Sequence, residues 1–248
     1  MIASREPAVL RTEGNTPDFE YSGSELDALS EGQNYYRWIV GRFRPYFGKH
    51  VIEVGAGIGT FATHVLALPE IERFLALEPG VNTFPSLRQR LAGDSRADAV
   101  QAYLDQIGEM NADSLVAVNV LEHIKDDLGF LKDAYRVTAP SGHLLIYVPA
   151  LPQIFGTLDV ALEHHRRYTK RTLTAVIEGG GWKIDQIRYC NLPGVLAWYI
   201  VNRILRKTSL ERGEVRLYDR LVIPVVTRVE SFWSPPIGQN LLVVASKS

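Results

Sequence analysis

Glu53, Gly55, Gly57 and Gly59 stand in a run, Val51 to Thr60, where a β-branched stretch gives way to three alternating glycines and then to a helix-forming segment. Glycines so placed let the chain turn through dihedrals closed to other residues, and they remove the Cβ atoms that would hold a ligand away from the backbone. N–H groups at the start of the following helix then face whatever polar group enters. This arrangement serves a nucleotide-like ligand. A dinucleotide fingerprint has its third glycine at the sixth position, but here Thr60 takes that place and the third glycine comes one residue earlier. Glu53, at the strand end, offers a carboxylate that can pair with an amino group and would repel a pyrophosphate.

Further candidates follow in chain order. Glu78-Pro79 ends the next apolar run, where a carboxylate can accept hydrogen bonds from both hydroxyls of a ribose. An NAD enzyme could use the same acid. Leu104-Asp105 offers an apolar side chain for a ring and a carboxylate near its amino group, although Leu104 also reads as core and Asp105 as a helix cap. Val116 to Ile124 contains Asn119 and the tetrapeptide Leu121-Glu122-His123-Ile124.

Taken together, Glu-x-Gly-x-Gly-x-Gly, Glu78 and the Leu-Glu-His-Ile segment resemble the class I S-adenosylmethionine-dependent methyltransferases of small-molecule, glycan or natural-product type. The resemblance runs from about Tyr35 to Val148. It implies S-adenosylmethionine as cofactor, held by Tyr35 at the methionine end and by Glu53, Gly55, Ala56, Gly57, Gly59, Glu78, Pro79, Leu104, Asp105 and Asn119. Packing of Tyr35 with Trp38 inside the N-terminal helix is an equal alternative for that aromatic.

Methyl transfer from a sulfonium is an in-line displacement, so the protein must align the reactants and exclude water. No metal is expected. An oxygen or nitrogen acceptor can need a general base, for which His123, Glu163, His164 and His165 have the right chemistry; for His123 the reading as a structural group at a helix start is the stronger one. Glu163 to Arg171 concentrates four basic side chains and two histidines in nine residues, an anion-site candidate in a chain of net charge −1. It resembles a Gly-His-Tyr-Arg-Arg-Tyr-Thr stretch of bacterial methyltransferases. Arg166, Arg167 and Tyr168, with Trp198 from the later aromatic-rich insertion, are the substrate-binding candidates.

The elements that must position these residues alternate. Helix is predicted over Ser24–Phe47, then strands at Lys49–Val54, Arg73–Leu77, Ala99–Tyr103, Ser114–Asn119 and His143–Val148, with helices at Thr60–Leu68, Val81–Leu91 and Asp126–Val137 between them. After a loop over Ala150–Tyr168 come a helix from Arg171 to about Glu178, stopped by Gly179-Gly180-Gly181, and strands at Trp182–Tyr189 and Asn240–Ser246. This predicts a Rossmann-like α/β fold: a seven-stranded, mostly parallel sheet with helices on both faces, an N-terminal helix and an insertion before the last strand. The family resemblance makes that seventh strand antiparallel. One domain over 1–248 is expected, divided into tail and helix (1–47), cofactor core (48–149), acceptor side (150–239) and last strand (240–248).

At 248 residues with 46% hydrophobic content the chain can bury a sizeable core, and its near-neutral charge argues against nucleic acid as partner. The single cysteine, Cys190, excludes an intrachain disulfide and a cysteine zinc site. The first 31 residues lack an apolar leader-type core, and no run is long enough to span a bilayer, so a cytoplasmic location is expected. Arg203, Arg206 and Lys207 could touch a membrane surface, and the insertion could form a homodimer interface. The leading reading is methylation of a small molecule with an anionic group and an apolar body, O-methylation of a sugar or natural product foremost. One alternative is C-methylation of a prenyl diphosphate alkene with Glu163 as base. Another, of a different class, is a non-methylating cofactor-binding partner or cyclase.

Overall fold

The computed structural model of the protein describes residues 19–21 and 25–247. Most of the predicted tail, and Ser24 of the predicted first helix, lie outside those residues.

Strands β1 (His50–Val54), β2 (Arg73–Leu77), β3 (Ala97–Val100), β4 (Ala112–Val118), β5 (Thr138–Pro149), β6 (Lys183–Cys190) and β7 (Asn240–Ser246) form one sheet in the order β3-β2-β1-β4-β5-β7-β6. Neighbours from β3 to β5 are parallel, whereas β7 runs antiparallel to both β5 and β6. The fold class is therefore the predicted one. Successive side chains of a strand point to opposite faces, and the core divides accordingly. Leu144, Ile146 and Val148 join one apolar layer with Leu131 and Leu173; Leu145 and Tyr147 join the other with Ile39, Phe43 and Phe61. Both faces of the sheet are buried, which explains the unbroken apolar runs of β5 and β7.

The single N-terminal helix of the sequence reading is two helices, α1 (Glu25–Leu29) and α2 (Gln33–Phe43), followed by a 3-10 turn at Arg44–Tyr46. Gly32 between them is a weak helix former. Pro45, lacking an N–H, suits the short turn that follows α2. Three helices come next: α3 (Thr60–Leu66), α4 (Phe84–Leu91) and α5 (Asp127–Val137). α4 starts later than predicted, with Pro85 in its first turn.

The predicted loop after β5 contains a short helix, α6 (Thr157–Ala161), before α7 (Lys170–Gly179). The insertion between β6 and β7 holds α8 (Leu192–Tyr199), a π-turn segment at Ile200–Ile204, α9 (Arg212–Leu221) and α10 (Ile223–Val229). It closes onto the N-terminal helices through Asp219, whose carboxylate accepts from the N–H groups of Asn34 (3.0 Å) and Tyr35 (2.8 Å) at the start of α2.

Candidate active site

The three glycines adopt positive φ, 68°, 54° and 81° at Gly55, Gly57 and Gly59, as the turn between β1 and α3 requires. They differ in what surrounds them. A Cβ on Gly59 would come within 2.9 Å of Leu87, so this glycine lets α3 pack against α4, and it does not line the cavity described below. A Cβ on Gly57 would be in ordinary van der Waals contact with Leu26, at 3.4 Å, and that glycine borders the cavity described below. Its N–H donates to Glu78 Oε2 at 2.7 Å, while Glu78 Oε1 accepts from Gly80 N–H (2.9 Å) and the Thr83 hydroxyl (2.8 Å). The acid at the end of β2 is thus tied into the glycine turn before any ribose arrives. Its remaining lone pairs are what a ribose can use.

Glu53 is buried, and its Oε2 has no hydrogen-bond partner among the described residues. Burial, and then the charge of Glu78, push its carboxyl up to about 8. An orphaned buried carboxylate at a strand end is a place for a cation or a strong donor to bind. The ammonium end of S-adenosylmethionine fits that requirement, as the bare backbone at Gly57 fits close approach of the ligand.

These groups line one end of a cavity of about 1210 Å3. Of the cofactor candidates, Tyr35, Glu53, Gly55, Ala56, Gly57, Glu78, Pro79, Leu104, Asp105 and Asn119 all border it. Tyr35 does so from within an aromatic group, its hydroxyl donating to the Tyr147 hydroxyl at 3.1 Å and its ring packed edge-on against that of Tyr147. Tyr147 lies near the C-terminal end of β5 and gave no signal in the sequence beyond strand periodicity.

The other end of the same cavity is bordered by His123, Glu163, His164, His165, Arg167 and Trp198. His123 is held neutral, its pKa lowered to about 3 by burial and by the neighbouring His164 and His165, which leaves it a weak base. His164 Nδ1 lies 3.0 Å from Asp159 Oδ1. Glu163 and His165 are exposed at the rim, and Glu163 has a positive φ of 59°.

The basic cluster is taken apart by the fold. Arg167 is buried, donates from Nε to Asp159 Oδ1 at 2.7 Å and from Nη1 to the Ala150 carbonyl at 2.9 Å, and lies 4.9 Å over the Trp198 ring. Asp159 also accepts from Asn202 Nδ2 at 2.8 Å and from Trp198 Nε1 at 3.3 Å. Burial would raise the Asp159 carboxyl, but the bonds from His164 and Arg167 overcome it and hold the group at about 2. Arg166 is turned to Asp127 (2.6 Å) and the Lys125 carbonyl (2.8 Å), and Tyr168 donates to Asp127 at 2.9 Å; neither borders the cavity. A guanidinium saturated by a buried carboxylate has little left for an anionic substrate, so the expected anion site in this segment has no free cation facing the chamber. Glu122, Asp159 and Asn202 are the residues at this end that the sequence reading passed over. Glu122 stood in the noted motif, whereas nothing around Asp159 distinguished it from a solvated acid.

Residues 52–144 match the methyltransferase domain family. Over 142 residues the chain is 28% identical to a probable S-adenosylmethionine-dependent methyltransferase of Mycolicibacterium smegmatis, covering 56% of this chain and 53% of that protein. The chain thus spans about half the length of the curated relative it matches. Among solved structures, an S-adenosylmethionine-dependent methyltransferase from Mesorhizobium loti superposes with a TM-score of 0.57 at 14% identity, covering 84% of this chain and 95% of that one. Phosphoethanolamine N-methyltransferase 2 of Haemonchus contortus, solved with S-adenosyl-L-methionine, gives 0.59 at 15% identity, with 86% and 52% covered. The cyclase SpnF gives 0.59 at 13% identity, with 87% and 80% covered. These structural likenesses concern the fold.

Proposed function

Because the chain belongs to the class I S-adenosylmethionine-dependent methyltransferases, whose cofactor is S-adenosylmethionine, we propose that it transfers a methyl group to an oxygen of a small molecule with a largely apolar body. The bound cofactor supplies an electrophilic methyl on a sulfonium. Everything else falls to the protein. Glu53 and Gly57 hold the amino-acid end, Glu78 the ribose, and the Leu104-Asp105 pair the adenine.

The observation that carries this reading is continuity: one cavity joins Glu53, Gly57 and Glu78 to His123, His164 and Trp198. A donor at one end and an acceptor at the other can then meet without crossing bulk water, which is what an in-line displacement needs. We take residues 48–149 as the donor half and 150–239 as the acceptor half of one domain. A diphosphate-bearing acceptor is less favoured than an uncharged one, because Arg166 and Arg167 are already paired with Asp127 and Asp159.

The test is incubation with methyl-labelled S-adenosylmethionine and a panel of sugars, phenols and prenyl diphosphates. Label in a hydroxylated apolar acceptor, together with demethylated cofactor, is expected. Label only in a prenyl diphosphate would favour C-methylation. Cofactor binding without any demethylated product would favour the non-methylating class to which a cyclase belongs.

Among the described residues no helix is long and apolar enough to cross a membrane. A peripheral contact has firmer support. Leu196, Tyr199, Ile200 and Ile204 recur at helical spacing along α8 and the π-turn segment, all exposed, with Arg203 on the same stripe. We propose that this stripe lies against an anionic lipid surface, from which an apolar acceptor can enter the chamber beneath.

A further inference from the structure

We propose that Glu122, His123 and His164 form a binding site for one divalent transition-metal ion, of the Zn2+ type, at the acceptor end of the cavity. Each residue offers one ligand atom, and these atoms lie within 4.8 Å of one another. The local bonding fixes which atoms are available. Asp159 takes His164 Nδ1 at 3.0 Å, so the proton sits on Nδ1 and the Nε2 lone pair is left facing Glu122 Oε1, 3.9 Å away. A carboxylate on the far nitrogen of a histidine is the outer support that metal-ligating imidazoles ordinarily have.

Glu122 supplies the second, independent observation. Its side chain is fully buried, and among the described residues neither carboxylate oxygen has a hydrogen-bond partner. Buried carboxylates are as a rule paired or metal-bound. His123 completes the set, its ring edge-on to that of His164 with centroids 4.7 Å apart.

Ligands at zinc-like distances in a tetrahedral site stand roughly 3.3 Å apart. The 3.9 Å gap between His164 and Glu122 therefore closes with a shift of roughly half an ångström, and a pair at the 4.8 Å limit of the set with a side-chain movement of about 1.5 Å. Two imidazoles and one carboxylate suit Zn2+, Co2+ or Fe2+ and not Mg2+ or Ca2+. Three protein ligands leave a coordination position open. His123 and His164 border the cavity, so that position faces the acceptor. On the methyl-transfer reading above, on which this clause rests, the ion would hold an acceptor oxygen and favour molecules with two vicinal oxygens, such as catechols.

The experiment uses the full chain stripped with chelator and then titrated with Co2+, without cofactor or acceptor. One equivalent should bind and give visible d–d absorption that Zn2+ displaces and Mg2+ does not. Glu122→Gln and His164→Ala, checked for folding by circular dichroism, should weaken Co2+ binding by about 100-fold or more, since loss of an outer-shell partner alone costs about 10–100-fold. His165→Ala should leave Co2+ binding unchanged. Should either ligand variant fail to fold, His123→Asn serves in its place. Absence of saturable binding, or binding indifferent to these substitutions, overturns the site. Catechol added to the Co2+ form should shift the absorption, and no shift overturns the acceptor class. Metal binding is read without turnover, so its failure and the failure of methyl transfer are separate results.

Discussion

Glu53 and Gly57 show how far single side chains carry the donor site. With its carboxyl pushed up to about 8 against an ordinary 4.5, Glu53 keeps a proton in the folded chain that the unfolded chain has lost between those values. Its contribution to stability is therefore full at acid pH and lost as pH rises through about 8, an effect on the order of a few kcal/mol. Glu53→Gln should flatten the rise of urea midpoint toward acid pH. A cationic ligand favours the ionised carboxylate, so calorimetry should find S-adenosylmethionine binding tighter at about pH 8 than at about pH 6, by up to tenfold per unit. A flat profile would remove Glu53 from the ligand. Gly57→Val should abolish binding in the same assay, because a branched side chain would fill the approach and strain a φ of 54°. Glu78→Ala should weaken binding by about 1–3 kcal/mol, the scale of lost charge-assisted bonds, with part of the loss coming from the freed Gly57 and Gly80 amides.

At the scale of elements, Asp159 on α6 gathers Arg167 from the segment before α7, Trp198 from α8 and Asn202 from the π-turn segment. Short helices such as α6 have little stability of their own; here a buried charge fixes its place. Arg167→Leu would leave that charge without its main partner, and should cost about 3–5 kcal/mol in urea unfolding. Arg166→Ala, breaking a partly exposed pair with Asp127, should cost about 1 kcal/mol or less. Equal effects from the two would contradict the division of the basic cluster described above. The cap of α7 is local, Thr169 Oγ1 accepting from Thr172 N–H at 3.1 Å. Capping depends on a few adjacent residues, and so local sequence suffices to read it. The break between α1 and α2 was not legible, because the Asp219 carboxylate that caps α2 arrives from α9, far along the chain.

For the molecule as a whole, the exposed stripe of α8 predicts cosedimentation with phosphatidylglycerol vesicles that weakens with salt and is lost in Leu196→Glu/Ile204→Glu. Binding unchanged by that pair would contradict the lipid contact, and a concentration-dependent dimer in gel filtration that the pair abolishes would assign the stripe to a second copy. By itself the sequence determined the alternating strands and helices, the glycine turn and the two acids of the donor end, since strand periodicity, glycine dihedrals and motif spacing are properties of contiguous residues. It also suggested four candidate bases and a basic acceptor loop, with no metal expected. Only the tertiary structure decided what became of these. Folding brought Asp159 to Arg167 and His164 and Asp127 to Arg166, and so left both guanidinium groups paired and unavailable to an anion. It likewise set His164 against Glu122 and His123, which lie far from it along the chain. Pairing energies between distant side chains depend on distances that no local spacing contains, and in a buried site those pairings determine which groups remain free to meet a ligand.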